Sequence, residues 1–531
     1  MNERLVEDWL AKANERLYQT PFAQSLIAEG MEVLRVAHSP HEHGKDIIAV
    51  DKNGRVHAYQ LKDGDLDLKD FEKGLGQIIA LVETQVEHPA ISGQPRHQPW
   101  LVVSGQISVP AEDRIRVHNI RWGKRPYTPL KVITGRQLLV RFATMSANFW
   151  PQVPEDSNRL FNLYLANGKN TLDRDNFVKL IAEVTSVEAK TKRVEVERRL
   201  SAANLFASYA LSPFHNSKNH WELVQGWTIA AAQIAWAADQ ANLPLQAWQP
   251  TFRLATNAAL RALADLAWEA LQPDALRPGT FCELDELTRS RCTVCAGAIA
   301  AQILVSRQHG NPWEHESNAK ECIEKLFTGG RLFLWGESAV PPFVALVWAL
   351  DQLRGDQFAD RILFSALSGL VHQNSNHSLP KSPSPYDSAD DANSKWLKRL
   401  FEKETALDLQ ATASYSLEAL VTLVARRLWR NTLAALWSPI TKIDMVRLTP
   451  DHPRDILLWN WGNLRGANQS RKFGAPQSWA ELLDESRRDE SDSLPDVIRT
   501  NFDFGLLFML CFPHRLSRSL VKHFEERMRF L

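Results

Sequence analysis

A predicted β-hairpin near the N-terminus constrains the fold of this chain more than any other stretch. The segment GKDIIAVDKNGRVHAYQLK contains two apolar runs, at 46–50 and 56–61, on either side of a Lys-Asn-Gly turn. An Asn-Gly pair between apolar runs is the strongest short-range hairpin signal. The sequence therefore predicts that Asp46 and Lys62 lie on adjacent antiparallel strands.

The length of the hairpin loop decides which side chains meet. A two-residue loop at Asn53-Gly54 would put Gln60 on the opposite face from Asp46, because side chains alternate along a strand. A three-residue loop with Gly54 in the left-handed region pairs 50 with 56, 48 with 58 and 46 with 60. In that register Asp46, Gln60 and Lys62 share one face of the sheet.

A carboxylate, an amide oxygen and an ammonium group on one face form a chemically useful set. Oxygen ligands suit Mg²⁺, and a lysine can position or deprotonate a metal-bound water. The arrangement resembles the PD-(D/E)XK nuclease signature in its Gln-x-Lys form, and in particular the Mrr-type restriction endonucleases. Those proteins carry Gly-x-Asp-Ile at the start of the motif and Gln-x-Lys at its end, here Gly44-Lys45-Asp46-Ile47 and Gln60-Leu61-Lys62.

The resemblance covers about residues 15–145. Downstream of the hairpin come a helical stretch at 68–84, an apolar strand at 99–104 and a closing strand at 130–134 that precedes Gly135 and Leu138. These are similar to the family's later strand ending in Ser or Thr with Gly, and to its closing strand followed by Gly-x-x-Leu. The alternative is an ordinary α/β domain whose Asp and Lys are solvated edge residues.

The resemblance implies a restriction-endonuclease-like α/β domain, with a mixed sheet between helices, that hydrolyses phosphodiester bonds with DNA as the expected substrate. It implies that Asp46 binds Mg²⁺, for which Mn²⁺ can substitute. Gln60 would contribute its side-chain oxygen and Leu61 its backbone carbonyl. Lys62 would orient the attacking water and stabilise charge in the transition state.

One part of the family pattern, a glutamate on the first helix, is missing. The matching position lies near Gln19, and the nearest acid that can substitute is Glu15, one turn earlier. We expect Pro21 to interrupt the helix between Glu15 and Gly30, which weakens this candidate. Related nucleases sometimes carry a glutamine on the following helix, but we interpret Gln77 as a solvated residue.

A basic segment follows the PWLVVS strand. Its members are Arg114, Arg116, Arg121, Lys124 and Arg125, with Trp122 among them. Arginines beside an aromatic residue suit phosphate contact with base stacking, so these residues are candidates for nucleic-acid binding. A solvated basic helix face is the equally favoured alternative.

Length and composition bound the rest of the chain. With 531 residues we expect two or three domains. The formal net charge of +0 provides no whole-chain argument for binding a polyanion, so local patches must carry that function. Five cysteines are too few for a disulfide framework, and no apolar run reaches the ~20 residues of a membrane span or forms a secretory signal. We therefore expect a soluble cytoplasmic protein without membrane contacts.

From about residue 151 the pattern is almost entirely helical, which predicts a large all-α domain. We divide it into a first lobe at 151–372, an exposed loop or linker at 373–394 and a second lobe at 395–531, after the nuclease domain at 1–150. Eighteen tryptophans suit helix packing or a partner-binding surface. We expect a protein partner or a homo-oligomer through this domain.

Four cysteines in the helical region invite a zinc interpretation. They are Cys282, Cys292, Cys295 and Cys322. Only one Cys-x-x-Cys pair is present, and it lies in an Ala-rich apolar run where cysteine behaves as a small core residue. We therefore favour core packing, and the role of these cysteines stays open.

The combined prediction is a restriction or anti-phage defence nuclease whose helical module senses a trigger or docks a partner and restrains the nuclease domain. Two alternatives remain. One is a non-catalytic nucleic-acid-binding or scaffold protein with a degenerate nuclease domain. The other is a DNA repair or junction-cleaving nuclease that uses the same residues on a different substrate.

Overall fold

The structure is a computed structural model of the chain. It describes residues 3–36, 45–86, 91, 96–144, 157–186, 191–272, 274–276, 285–353, 356–375, 388, 391, 413–459, 466–474, 477–488 and 493–528. Gly44, Cys282 and most of the predicted linker at 373–394 lie outside these residues. None of the helices in the described ranges is long and apolar enough to cross a membrane.

The chain divides into two compact units, each built from separate stretches of sequence. The first comprises Met1–Tyr164, Lys179–Ala210 and Leu243–Leu254, and the second comprises Leu165–Val178, Leu211–Asn242 and Ala255–Leu531.

A five-stranded mixed sheet forms the centre of the first unit. Its strands are β1 (Glu32–Val36), β2 (Ile47–Val50), β3 (Val56–Lys62), β4 (Gln98–Val103) and β5 (Lys131–Ile133), hydrogen-bonded in that order. The first three strands are antiparallel neighbours, whereas β3, β4 and β5 run parallel. Parallel neighbours require crossover connections, which helices supply here. The predicted mixed α/β architecture of the N-terminal region is confirmed.

Helices cover both faces of this sheet. They are α1 (Glu3–Lys12), α2 (Glu15–Ala28), α3 (Leu68–Glu83), α4 (Val109–Gly123) and α5 (Gly135–Thr144). The crossover helices α3 and α4 bury Phe71 and Ile115 against one face, together with Leu101 of β4. On the other face, Phe22 of α2 meets Tyr59 of β3 edge-on, with ring centroids 5.3 Å apart.

The expected helix break at Pro21 is wrong. The helix α2 continues through Pro21, and the chain breaks earlier, at Ala13 and Asn14. The side chain of Asn14 accepts a hydrogen bond from the Leu17 N–H at 3.0 Å, so Asn14 caps α2. The cap makes Glu15 the first residue of the helix that continues to Ala28.

The first unit is larger than the predicted domain at 1–150. Lys12 of α1 donates from Nζ to Ser201 Oγ at 2.9 Å and to Thr251 Oγ1 at 2.7 Å. Arg198 donates from Nε to the Lys12 carbonyl oxygen at 2.6 Å. These contacts connect Arg198, Ser201 and Thr251 to α1. Their inclusion in the first unit was not predicted, because helical periodicity shows that a helix has an apolar face but does not identify the helix or sheet that covers it.

The remaining helices run through both units. They are α6 (Ser157–Tyr164), α7 (Arg174–Thr185), α8 (Arg193–Ala210), α9 (Ser212–Asn216), α10 (His220–Gln240), α11 (Leu245–Ala270), α12 (Asp285–Gln308), α13 (Glu316–Thr328), α14 (Val340–Gln352), α15 (Asp356–Ser375), α16 (Leu417–Arg426), α17 (Arg430–Ile440), α18 (Trp479–Arg487), α19 (Asp496–Thr500), α20 (Phe502–Cys511) and α21 (Arg518–Met528). Short 3-10 helices occur at Glu337–Ala339, Pro453–Leu457 and Pro513–Arg515.

The prediction of an all-α C-terminal region is wrong in one respect. A three-stranded sheet of β6 (Ala413–Ser414), β7 (Asp444–Pro450) and β8 (Gly466–Arg471) interrupts the helices. The pair β6 and β7 is parallel, and β7 and β8 are antiparallel. The sequence of β8, GANQSR, is polar and its residues 467–470 are exposed, so it carries none of the apolar alternation that identifies a half-buried strand.

Candidate functional site

The hairpin has the three-residue loop, which is the form on which the predicted site depends. Val50 pairs with Val56 and Ile48 with Ala58, and the Asp51 N–H donates to the Arg55 carbonyl at 3.0 Å. Gly54 closes the loop with φ +74°, a left-handed conformation that glycine adopts without strain. The register prediction is confirmed, because this spacing places Asp46 opposite Gln60.

Asp46 and Gln60 form a buried polar pair at the start of β2. The Leu61 N–H donates to Asp46 Oδ2 at 2.7 Å, and Gln60 Nε2 donates to the same oxygen at 3.3 Å. Asp46 is 7% exposed and Gln60 is 4% exposed. In a β-strand the N–H and C=O of one residue point to the same side. The Leu61 carbonyl is therefore directed to the side on which Asp46 lies.

The side-chain oxygen of Gln60 is buried without a hydrogen-bond partner. Leaving such an acceptor unsatisfied costs about 1–3 kcal/mol. A half-turn of the amide exchanges its nitrogen and oxygen, which would put Oε1 about as far from Asp46 Oδ2 as Nε2 is now. Two oxygens at this separation are compatible with neighbouring ligands of one small cation.

Lys62 ends β3 with its ammonium group between two helices. Its Nζ donates to Glu15 Oε1 on α2 at 3.2 Å and to Gln77 Oε1 on α3 at 3.0 Å. The uninterrupted helix α2 therefore brings Glu15 to the cluster, although the expected break at Pro21 weakened that candidate. Gln77 is exposed, as expected for a solvated helix residue, and its amide oxygen in addition contacts Lys62.

Sequence reasoning missed Tyr18, which fixes the backbone of the cluster. The Tyr18 hydroxyl donates to the Lys62 carbonyl oxygen at 2.7 Å and accepts from the Lys62 N–H at 3.0 Å. Burial raises the pKa of this phenol well above its usual value, so the group stays neutral. The neighbouring Gln19 donates to the Asp46 carbonyl oxygen at 3.2 Å. The only sequence signal for Tyr18 was its place one turn after Glu15, whereas Gln19 marked the position that matches the family's first-helix glutamate.

The loops that follow β3, β4 and β5 meet closely beside Lys62. The Ser104 N–H donates to the Lys62 carbonyl at 3.0 Å, and Ser104 Oγ accepts from the Gly64 N–H at 2.8 Å. A Cβ added to Gly135 would lie only 2.2 Å from the Ser104 carbonyl oxygen. Glycine at position 135 therefore allows the loops after β4 and β5 to approach each other.

In the basic segment, the tryptophan is buried and two of the arginines form ion pairs. Trp122 is 3% exposed and donates from Nε1 to Glu83 Oε1 at 2.9 Å, so its ring is not free to stack on a base. Arg114 pairs with Glu72 at 2.6 Å and Arg116 with Asp113 at 2.8 Å. The prediction that Trp122 is available for base stacking is therefore wrong, whereas the side chains of Arg114 and Arg116 stay accessible to solvent despite their ion pairs.

The exposed remainder of the basic segment is Arg121, Lys124 and Arg125, at the end of α4. Helix α4 runs back along the parallel strands, from the edge where Lys62 lies to the edge where β5 begins. A 15-residue helix is roughly 22 Å long. These three cations are therefore separated from Lys62 by about the length of the helix.

The donor set fits a hard divalent cation with few protein ligands. Within the described part of the chain, no three or more His, Cys, Asp or Glu side chains are arranged to hold a metal ion. The Asp46 carboxylate, the Gln60 amide oxygen and the Leu61 carbonyl are all oxygen ligands, which Mg²⁺ prefers while it keeps several waters. The unpartnered Gln60 oxygen is the feature that favours a bound cation over a purely structural pair.

The cysteines within the described ranges show no such donor arrangement. Cys292 and Cys322 form no disulfide bond, and burial raises the pKa of the Cys295 thiol to about 12. Comparison of the chain with protein-family models, curated proteins and solved structures found no match.

Proposed function

We propose that the chain is a Mg²⁺-dependent endonuclease that hydrolyses phosphodiester bonds in DNA, with a restriction-endonuclease-like fold in its first unit. The observation that carries the proposal is the buried amide of Gln60, whose nitrogen donates to the Asp46 carboxylate while its oxygen has no hydrogen-bond partner. The ammonium group of Lys62, two residues after Gln60 on β3, completes a set of functional groups suited to phosphodiester hydrolysis. The resemblance of these residues to Gln-x-Lys nucleases points in the same direction.

Asp46, Gln60 and the Leu61 carbonyl would hold the cation. A Mg²⁺ ion bound there would polarise a phosphoryl oxygen of the substrate and make a bound water more acidic. Asp46 is oriented for this role by the Leu61 N–H, and Gln19 fixes the backbone of Asp46. Such support reduces the reorganisation that binding requires.

Lys62 would orient the attacking water and stabilise negative charge on the phosphate. Its side chain is 23% exposed, so a water or a phosphate oxygen has access to the ammonium group. Glu15 and Gln77 accept hydrogen bonds from this group and leave its third proton for the substrate. Tyr18 holds the Lys62 backbone in place, which limits the positions that the ammonium group can adopt.

Contacts with DNA away from the scissile bond would come from Arg121, Lys124 and Arg125. Successive phosphates of one strand are about 3.4 Å apart along the helix axis, so the length of α4 corresponds to roughly six base pairs. These cations would therefore bind the backbone beyond the cleavage position. Because they contact phosphates only, they add affinity that depends on salt and not on sequence.

A restriction or anti-phage defence role, with a helical region that senses a trigger and restrains cleavage, remains part of the proposal. It rests on the resemblance of the first unit and on the length of the second unit. The non-catalytic alternative is favoured by a specific observation, the ion pair between Lys62 and Glu15, which neutralises both groups in a protein that cuts nothing.

Cleavage by purified protein separates these two functions. We expect the full chain to cut plasmid DNA slowly with Mg²⁺ or Mn²⁺, because the helical region restrains cleavage without abolishing it, and to stop when the metal is chelated. Lys62→Ala should lower the cleavage rate by ~10² or more, the scale for removing a positioned proton-transfer group, and leave Mn²⁺ binding nearly intact. Asp46→Ala should remove both metal binding and cleavage.

Lys52→Ala is the matched control for Lys62→Ala. Lys52 is an exposed lysine in the hairpin loop, at the opposite end of β3 from Lys62 and so roughly 20 Å from it along the strand. The Lys52→Ala protein should cleave DNA at the wild-type rate. Undiminished cleavage by the Lys62→Ala protein refutes the site assignment, and a wild-type protein that binds Mn²⁺ but cuts neither duplex nor single-stranded DNA favours the non-catalytic alternative.

A further inference from the structure

A large groove in the second unit lies between α15 and the start of α17. Its volume is about 970 Å³, close to the upper end of the range of small-molecule sites. All of its lining residues belong to the second unit, whereas Asp46 and Lys62 belong to the first. The proposed nuclease chemistry assigns no role to this groove.

Cationic side chains from two helices line the groove. Arg361 of α15 and Arg430 of α17 are both exposed, and His372 near the end of α15 lies on the same wall. The Arg361 guanidinium lies over the Phe327 ring at 5.1 Å from its centroid, which restricts the positions of the charge. Asp360 is the acidic residue among those that line the groove, so the formal charge is positive.

Large apolar side chains are exposed next to these charges. Phe364 of α15 is 46% exposed, and Leu428, in the turn between α16 and α17, is 61% exposed. Trp429 follows Leu428 and lines the same groove. Exposed apolar groups concentrated in a concave site are typical of ligand binding. The groove therefore offers flat apolar surface and positive charge to one ligand.

The start of α17 adds to the positive potential. Residues 429–432 line the groove, and Trp429 at the N-cap position provides no side-chain hydrogen bond to the first turn. The first N–H groups of a helix have no partners within the helix and carry a partial positive charge. Their effect has the same sign as that of Arg361 and Arg430.

We propose that this groove binds a nucleoside phosphate. The base would pack against Phe364, Leu428 and Trp429, and the phosphate would bind Arg361 and Arg430. A guanidinium group makes two parallel hydrogen bonds to a phosphate, which gives both affinity and orientation. The combination of one planar apolar part and one anionic part matches a nucleotide better than it matches a free phosphate or an apolar compound.

The test is calorimetric titration of the full chain with ATP, adenosine and pyrophosphate in separate experiments. EDTA is present throughout, so that a metal-nucleotide complex at Asp46 does not contribute. We expect saturable ATP binding that is tighter than binding of either part alone. Arg361→Ala and Arg430→Ala should each weaken ATP binding about tenfold or more, because each removes charge-assisted hydrogen bonds. Phe364→Ala should weaken ATP and adenosine binding alike.

Arg289→Ala is the matched control, because the Arg289 guanidinium lies over the Phe333 ring at 4.9 Å but does not line the groove. It should bind ATP as the wild type does. Thermal melting confirms that each variant is folded. If Arg361→Ala does not fold, Arg430→Ala still tests the proposal, because Arg430 is exposed and makes no described ion pair. No saturable ATP binding below about 1 mM, pyrophosphate binding as tight as ATP binding, or unchanged affinity in both arginine variants overturns the proposal.

Discussion

Replacing Gln60 by leucine separates a metal ligand from a structural amide. In the metal-free protein the wild-type amide makes one long hydrogen bond to Asp46, at 3.3 Å, and leaves its oxygen buried and unsatisfied. A hydrogen bond to a charged group contributes about 1.5–3 kcal/mol, and an unsatisfied acceptor costs about 1–3 kcal/mol. Because the two effects nearly cancel, metal-free Gln60→Leu should be within about 1–2 kcal/mol of the wild-type free energy of unfolding.

Metal should then distinguish the two proteins. At a Mn²⁺ concentration 100 times the wild-type Kd, binding stabilises the folded state by about 2.7 kcal/mol. The first unit has about 200 residues, for which 1 kcal/mol shifts Tm by ~2–4 °C, so the wild-type Tm should rise by roughly 5–10 °C. A tenfold lower affinity in Gln60→Leu would leave about 1.4 kcal/mol, which halves the shift.

Scanning calorimetry with Mn²⁺ and with EDTA measures both quantities. Gln98→Leu is the matched control: Gln98 is a buried glutamine on β4 whose amide donates to the Pro129 carbonyl at 2.9 Å. It should lose stability with and without metal but keep the full Mn²⁺ shift. A Gln60→Leu protein that keeps the wild-type Mn²⁺ shift, or that loses more than about 3 kcal/mol without metal, refutes the ligand role of Gln60.

Two further predictions concern stability. Gly135→Ala should destabilise the first unit by more than 2 kcal/mol in urea unfolding, roughly the scale of a severe steric clash, because its Cβ would lie 2.2 Å from the Ser104 carbonyl. Gly76→Ala, at a helical glycine with nothing within 4 Å of its Cβ, should instead stabilise by about 0.5–1 kcal/mol, and equal effects of the two changes contradict the close approach. Glu337 in the second unit is fully buried, and burial raises the pKa of its carboxyl. Because the pKa of Glu337 is raised in the folded state, the stability that its carboxyl contributes is present at low pH and is lost as pH rises above about 4.5. The Tm of Glu337→Gln minus the Tm of the wild type should therefore increase from pH 4 to pH 7. A Tm difference that stays constant over this range refutes the pKa effect.

The hairpin was predictable because its signals are local. Asn53 and Gly54 predict a tight loop, and the three-residue form of that loop sets the register that brings Asp46 to Gln60. Short-range chemistry of this kind can be read from one sequence. The polar pair follows from the alternation of side chains along two strands.

Other features depended on tertiary contacts that the sequence does not display. Pro21 is tolerated within α2, so Glu15 and Tyr18 reach Lys62 from a helix that was expected to break. Trp122 lies among arginines in the sequence but packs inward, because a basic helix has a buried face as well as an exposed one. The polar strand β8 has no alternation from which it can be recognised.

The discontinuous first unit has a consequence for synthesis on the ribosome. Its last segment, Leu243–Leu254, is made about 100 residues after the sheet is complete. At 5–20 residues per second this interval is roughly 5–20 s. During that time the nascent chain already carries Asp46, Gln60 and Lys62, whereas Lys12 still lacks its partner Thr251. A premature stop codon in this interval would release a chain with the whole motif and an incomplete support for α1.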